Sequence, residues 1–114
     1  MTNKTQKIRR LNDRMRKGDA SVPGQIVLTR GIADLLEESK TAPDDLIQMV
    51  RSYDNFTTDN DPHGEHDFGS FELAGYPCFW KLDYYDPTLK WGSNDPSDPK
   101  QTMRVLTIML TEEY

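Results

Sequence analysis

The residues best suited to chemistry lie in one polar stretch, residues 59–69. It holds both histidines of the chain, His63 and His66. Asparagine, proline and glycine separate its charged side chains, and these residue types form turns. The stretch leads directly into residues 68–91, which hold most of the aromatic side chains. We therefore expect a polar loop beside the core sheet and look for function there first.

A metal ion is one ligand that this stretch could hold. Five side chains at alternate positions would point the same way on an extended segment: Asp59, Asp61, His63, Glu65 and Asp67. Oxygen ligands suit calcium, magnesium or manganese, and a histidine favours manganese or zinc. However, Pro62 and Gly64 interrupt an extended segment, and Ser70 stands where a calcium-binding loop needs a glutamate. We expect no resident metal ion or other cofactor; a weak site would use Asp59, Asp61 and Glu65.

General acid–base catalysis is a second hypothesis. A hairpin in the following residues would place His66 opposite Asp83, with Lys81 and Glu65 nearby. A carboxylate beside an imidazole fixes its tautomer, as a general base requires, and a lysine stabilises developing negative charge. No serine or cysteine lies in a recognisable nucleophile motif. Enzymatic activity is therefore the alternative rather than the leading hypothesis.

Structural and binding roles account for the same residues. Asp and Asn side chains bond nearby backbone N–H groups in turns, and a His–Asp pair between strands satisfies polar groups. We expect most aromatic rings in the core, but Tyr85 and Trp91, if exposed together, would anchor a protein partner. The candidate binding residues are those of the polar stretch and these two rings: Asp59, Asp61, His63, Glu65, His66, Asp67, Tyr85 and Trp91.

The elements that position the polar stretch follow from hydrophobic periodicity. In chain order they are a surface helix over 3–17, a strand over 25–29, helices over 32–38 and from Pro43 to about Asp54, and a hairpin of strands 68–73 and 76–84. In the hairpin, Gly69 faces Trp80 and Phe71 faces Cys78, which makes one apolar sheet face.

The last predicted element is a helix over residues 98–114. Asp98 followed by Pro99 is typical of a helix start, and apolar residues recur at helical spacing from Met103 to Leu110. The order α-β-α-α-β-β-α predicts an α+β fold: a three-stranded, mainly antiparallel sheet with helices packed on one face. We expect a single domain over 1–114, with a basic N-terminal helix over 1–17 and a polar loop plus aromatic hairpin over 56–91.

Composition excludes some classes of function. No apolar run approaches the roughly 20 residues that span a bilayer, so we expect no membrane contact. A single cysteine, Cys78, suits a cytoplasmic protein. Residues 1–17 carry seven Lys/Arg and one Asp, for +6, and the remainder carries seven Lys/Arg and eighteen Asp/Glu, for −11. We do not expect residues 4–17 to bind nucleic acid, because the acidic remainder repels phosphates and can hold this segment itself.

Four segments also carry a family resemblance: Val27–Gly31, Phe56–Gly69, Phe79–Asp86 and Arg104–Leu110. From about Ile8 to Tyr114, the chain resembles domain-of-unknown-function family 3768 (DUF3768), small proteins of alphaproteobacteria and their mobile elements. The resemblance implies no known activity and assigns no catalytic residue. It does imply an accessory gene on mobile DNA, and evasion of host defence is one role that such a gene could have.

The leading hypothesis from sequence is therefore a non-enzymatic protein-binding module of mobile genetic elements. It would act by occupying a bacterial host or defence protein, and inhibition of a CRISPR-type nuclease is one such action. The alternative is a small metal-assisted or acid–base hydrolase built on the Asp/Glu/His loop.

Overall fold

The computed structural model describes residues 3–114, with a four-stranded mixed sheet at the centre. In chain order the elements are α1 (Asn3–Arg16), β1 (Gly24–Leu28), α2 (Arg30–Ser39), α3 (Pro43–Arg51), β2 (Phe68–Leu73), β3 (Tyr76–Tyr85), β4 (Met103–Leu110) and a 3-10 turn, Thr111–Glu113. Residues 1 and 2, part of the predicted segment 1–17, lie outside the described residues. Every helix within 3–114 is too short or too polar to cross a bilayer.

The sheet has the strand order β1-β4-β3-β2. β1 runs parallel to β4, whereas β4 with β3 and β3 with β2 are antiparallel. The fold class is α+β. The predicted three-stranded, mainly antiparallel sheet in the order α-β-α-α-β-β-α is wrong, because the final long element is a strand and one of the three strand pairs is parallel.

Residues 98–114 do not form the predicted helix. Residues 103–110 form β4, which lies between two other strands. Leu106 and Ile108 are buried on one face and Val105 and Met109 on the other, so apolar residues do not alternate with polar ones. A continuous apolar run of this length fits a buried strand or a helix equally well. Asp98 accepts a hydrogen bond from the Lys100 N–H (2.9 Å) in a turn instead of capping a helix.

The predicted register of the β2–β3 hairpin is confirmed. Gly69 pairs with Trp80, and Phe71 pairs with Cys78. Trp80 and Cys78 are fully buried, so this face of the hairpin lies in the core, as predicted. The two-residue turn contains Ala74 at a φ of +51°, with the following glycine also at positive φ. This conformation suits the twist of a tight hairpin and fixes the register.

The helices cover one face of the sheet. Trp80 and Ile108, on that face, belong to the same core cluster as buried residues of α1, α2 and α3. The other face of β3 carries Phe79, Lys81 and Tyr85, none of them fully buried. The helix-free face is therefore partly accessible to other molecules.

α1 is buried more deeply than a surface helix. The prediction of a surface position is wrong, because Ile8, Leu11 and Met15 contact the core and Asn12 and Arg16 are buried beside them. All five positions follow the i, i+3, i+4 spacing of one helix face. The spacing was the signal for burial, but the polar identity of two of these residues concealed it.

Candidate functional site

Residues 55–67 form a loop whose polar side chains hold it together. The Thr57 N–H donates to Asn60 Oδ1 (2.8 Å), and the Asn60 side chain donates to the Asn55 carbonyl (2.8 Å). The Asp61 N–H donates to the Thr57 carbonyl (2.8 Å). These contacts are turn chemistry, in which short polar side chains replace regular backbone pairing.

His66 joins this loop to α1. Its Nδ1–H donates to Asp13 Oδ1 (2.9 Å), its Nε2 lies 3.7 Å from Asp61 Oδ2, and its ring stacks on Phe56 with centroids 3.8 Å apart. The residue has a φ of +55°, which few non-glycine residues adopt. The predicted pairing of His66 with Asp83 is wrong: β2 begins only at Phe68, and the turn at residue 66 directs the ring to α1.

A hollow of about 450 Å³ opens beside the imidazole. Its lining comprises Phe56, Thr57, Thr58, Asp61, Pro62, His63, Gly64 and His66. Asp59 is exposed and does not belong to this lining. Residues 3–114 contain no group of three or more His, Cys, Asp or Glu that could hold a metal ion. Each nitrogen of His66 already has a carboxylate neighbour, so the geometry favours attachment of the loop over a free general base.

Glu65 belongs to a buried network below the loop. Its carboxylate accepts the Tyr84 hydroxyl (2.7 Å), and its backbone carbonyl accepts from Asn12 Nδ2 (3.0 Å). Asn12 also donates to the Tyr84 hydroxyl (2.8 Å) and accepts from Arg104 Nε (2.6 Å). Burial and the hydrogen bond to Glu65 raise the pKa of Tyr84. Glu65 therefore has a structural partner rather than the predicted place beside Asp83.

Arg16 connects α1 to the end of α3 through a second set of buried hydrogen bonds. Its Nη1 donates to the carbonyls of Val50 (2.8 Å), Arg51 (3.2 Å) and Tyr53 (3.0 Å). Carbonyls at a helix C-terminus lack helical partners, and a buried guanidinium can satisfy several at once. Burial lowers the pKa of Arg16, while Asp13 opposes that effect. This arginine is consequently unavailable for the nucleic-acid contact considered for residues 4–17.

The remaining two predicted catalytic residues, Lys81 and Asp83, lie on the helix-free face of the sheet. Lys81 Nζ donates to Asp83 Oδ2 at 2.6 Å. This hydrogen bond raises the pKa of Lys81, and burial opposes it. Lys81 and Asp83 occupy alternate positions on β3, so they share one face and neither meets His66. The four predicted catalytic residues therefore do not converge into one site.

Asp67 gives a testable prediction about the loop. Burial, and then the neighbouring charge of Glu65, raise the pKa of Asp67 above its ordinary value of 3.8. A carboxyl group whose pKa is raised by folding lowers the stability of the native state as pH rises above 3.8, its ordinary pKa in the unfolded chain. We expect Asp67→Asn to raise the melting temperature at pH 7 and to leave it nearly unchanged well below pH 3.8, where aspartate is neutral in both the folded and the unfolded chain. Thermal unfolding at the two pH values checks this; a lower melting temperature at pH 7 would contradict it.

Three exposed apolar side chains lie in and beside the turn that follows β3. Tyr85, Leu89 and Trp91 are 37%, 42% and 73% exposed, and we call this turn, residues 85–92, the Trp91 ridge. The backbone pairs Tyr85 with Gly92, which returns the loop to the end of the strand. The sequence indicated Tyr85 and Trp91 as binding candidates, and both are exposed. It did not indicate Leu89.

Asp86 holds the loop of the ridge in one conformation. Its Oδ1 accepts the N–H groups of Lys90 (3.1 Å) and Trp91 (3.3 Å) and the Thr88 hydroxyl (2.9 Å). Its own N–H donates to the Trp91 carbonyl (2.8 Å). Leu89 sits at a φ of +63°, which completes the turn. Sequence reasoning missed this role, although an Asp before Pro at the start of a turn-rich segment is a signal for it.

Comparison with known proteins gives one assignment. Residues 28–113 match the family model described as "Protein of unknown function (DUF3768)". No curated protein and no solved structure matches the chain. The matched range begins at the end of β1 and is shorter than the resemblance from Ile8, so α1 lies outside it.

Proposed function

The chain belongs to the DUF3768 family, and from this premise we propose that it is a protein-binding module whose binding surface is the Trp91 ridge. The family description states no function, so the support comes from the residues themselves. The observation that carries the proposal is a tryptophan, Trp91, 73% exposed on an ordered loop. Tryptophan and tyrosine are enriched among the residues that dominate binding energy in protein interfaces.

Preorganisation of the ridge supports the proposal. A surface that is ordered before association loses less conformational entropy on binding. Burial alone would raise the pKa of Asp86, but hydrogen bonds from Thr88 and from the backbone of Trp91 and Lys90 outweigh it, so the pKa is lowered. The carboxylate therefore stays ionised at neutral pH. Its hydrogen bonds weaken only as pH falls below 3.8 towards the lowered value.

The partner is proposed to be a bacterial host or defence protein. Residues 18–114 carry a net charge of −11, which favours a partner with a basic surface. Inhibition of a CRISPR-type nuclease, by occupying its basic groove, is the most specific form of the proposal and rests on the family resemblance. The cytoplasm is the proposed compartment, because the one cysteine, Cys78, is a buried free thiol.

Affinity capture with a matched pair of variants tests the proposal. We expect Trp91→Ala to weaken capture of the bound partner about tenfold or more, since truncating an interface anchor removes most of its buried contact. Tyr76→Ala removes another exposed ring (54%) at the opposite end of β3 and should leave capture unchanged. Both variants should keep the melting temperature of the wild type, because neither ring is buried.

Two results would contradict the proposal. One is a partner retained equally by the wild type and Trp91→Ala. The other is repeated failure of the wild type to capture any partner from its bacterial host. We do not propose the hydrolase function, because Lys81 and Asp83 lie away from His66 and both nitrogens of His66 already have carboxylate neighbours.

A further inference from the structure

β1 is an edge strand without the usual protection against pairing. Its five residues, Gly24–Leu28, include no charged side chain and no proline. Ile26 and Val27 are 39% and 40% exposed and, as consecutive strand residues, lie on opposite faces. Edge strands of monomeric proteins commonly carry lysine, proline or a bulge that prevents another strand from adding. The absence of these features in β1 leaves the edge open to pairing with another strand.

The backbone groups that are free on this edge can be identified. Just before β1, the Arg104 N–H donates to the Pro23 carbonyl (3.2 Å), and just after it the Thr29 N–H donates to the Ile108 carbonyl (3.1 Å). In a parallel ladder, every second residue of a strand bonds to the neighbouring strand. Gln25 and Val27 therefore bond to β4. The residues between and beside them turn their N–H and C=O groups outward.

Three residues are thus available for pairing: Gly24, Ile26 and Leu28. In the part of the chain that the structure describes, no turn, loop or side-chain hydrogen bond reaches their backbone groups. Three alternate residues with outward donors and acceptors are what an added antiparallel strand requires.

We propose that β1 pairs antiparallel with β1 of a second copy of this chain, about a two-fold axis at Ile26. In this register Ile26 pairs with its own counterpart, and Gly24 pairs with Leu28 of the other copy. The backbone N–H and C=O groups of all these residues point outward from the sheet edge, so each pair exchanges both backbone hydrogen bonds. The two four-stranded sheets then form one continuous eight-stranded sheet. Two-fold symmetry closes the assembly, so no further copy adds at this edge.

Charge favours this occupant. Arg14, Asp19 and Arg51 border the start of β1, and Arg30, Glu37 and Glu113 border its end. Antiparallel pairing brings the end of β1 that carries Arg30 to the end that carries Asp19 in the other copy. Two bases and one acid give the start a net charge of +1, and one base and two acids give the end a net charge of −1, so the two ends that meet attract each other.

The inference goes beyond the proposed function and does not depend on it. Tyr85 lies on β3, which is separated from β1 by β4, so dimerisation at the edge leaves the Trp91 ridge accessible. A dimer would present two ridges, and two linked sites bind a repeated or dimeric partner more tightly than one.

The mass of the full chain in solution tests the proposal. Sedimentation equilibrium over a concentration series should approach twice 13.2 kDa. Ile26→Pro removes one outward N–H without touching the ladder to β4, so it should give a monomer with unchanged far-ultraviolet circular dichroism. The matched control, Ile26→Ala, keeps the N–H and should still dimerise. A wild type of single-chain mass at every concentration, or an Ile26→Pro variant that remains dimeric, would overturn the proposal.

A cysteine variant tests the register even if Ile26→Pro fails to fold. Paired residues that exchange hydrogen bonds have Cα atoms about 5.5 Å apart, within the range of a disulfide. Ile26→Cys should therefore cross-link between copies under mild oxidation, and the buried Cys78 should not interfere. Val27→Cys is the control, because its counterpart lies diagonally at about 7–8 Å or more and should not cross-link. Cross-linking of Val27→Cys alone, or a monomer that instead adds an extended peptide at this edge, would overturn the two-fold register.

Discussion

Replacement of Asn12 by alanine is expected to lower the free energy of unfolding by about 3 kcal/mol or more, because it leaves buried hydrogen-bonding groups without partners. Asn12 is fully buried and bonds three residues at once: Arg104, Tyr84 and Glu65. Arg104 is also fully buried, and its Nη1 already has no partner among residues 3–114. Loss of the Asn12 amide would leave Arg104 Nε unpaired as well.

Urea unfolding measures this prediction. The transition midpoint should fall sharply for Asn12→Ala with little change in the slope. Asn94→Ala is the matched control, because Asn94 is exposed and should change stability by less than about 0.5 kcal/mol. Equal midpoints for Asn12→Ala and the wild type would show that α1 contributes little to the fold. That result would also suggest that the fold is restricted to the family-matched residues, which begin after α1.

Gly69→Ala is expected to destabilise the protein by about 2–3 kcal/mol through overpacking. A methyl group at this position would overlap Trp80 Nε1 and lie 2.6 Å from Trp80 Cε2. Trp80 is fully buried, and edge-on contacts with Tyr53 and Phe56 restrict movement of its ring. The glycine is therefore required by the close approach of the indole, not by backbone flexibility.

Thermal or urea unfolding of two glycine variants separates this explanation from a general loss of stability. Gly92→Ala is the control, because the nearest atom to its added methyl group, the Tyr84 carbonyl oxygen, is 4.0 Å away. Gly92→Ala should match the wild type to within about 0.5 kcal/mol. A Gly69→Ala protein as stable as Gly92→Ala would show that the indole can shift and that the packing argument is wrong.

Local patterns predicted the parts of the fold that depend on neighbouring residues. The β2–β3 hairpin has clear alternation and a two-residue turn, and its predicted register is correct from the Phe68–Lys81 pair to the Leu73–Tyr76 pair. The start of α3 at Pro43 was also predicted, because a proline followed by two carboxylates is a local signal.

Non-local pairing explains what could not be predicted. β4 is apolar on both faces and lies in the interior of the sheet between β1 and β3, and its sequence does not reveal that position. Arg16 is buried because the end of α3 needs donors for its carbonyls. His66 meets Asp13, 53 residues earlier in the chain, and no spacing rule links two residues so far apart.

The binding role of the candidate residues stays a prediction. The sequence indicated Trp91 and Tyr85 as anchors if exposed together, and each of them is exposed. It gave most weight to residues 59–69, where the side chains instead bond to nearby backbone groups, to α1 and to β3. Polar residues in turns bond locally in most proteins, so polarity alone could not distinguish a binding loop from a well-satisfied one.

Hydrogen exchange of the chain alone and with its captured partner tests the central claim most directly. If the Trp91 ridge is the binding surface, backbone amides of residues 85–92 should exchange more slowly in the complex. Residues 56–66, which border the hollow beside His66, should exchange as in the free chain. Slower exchange confined to residues 56–66, with none at residues 85–92, would show that the partner binds the polar loop and would contradict the account.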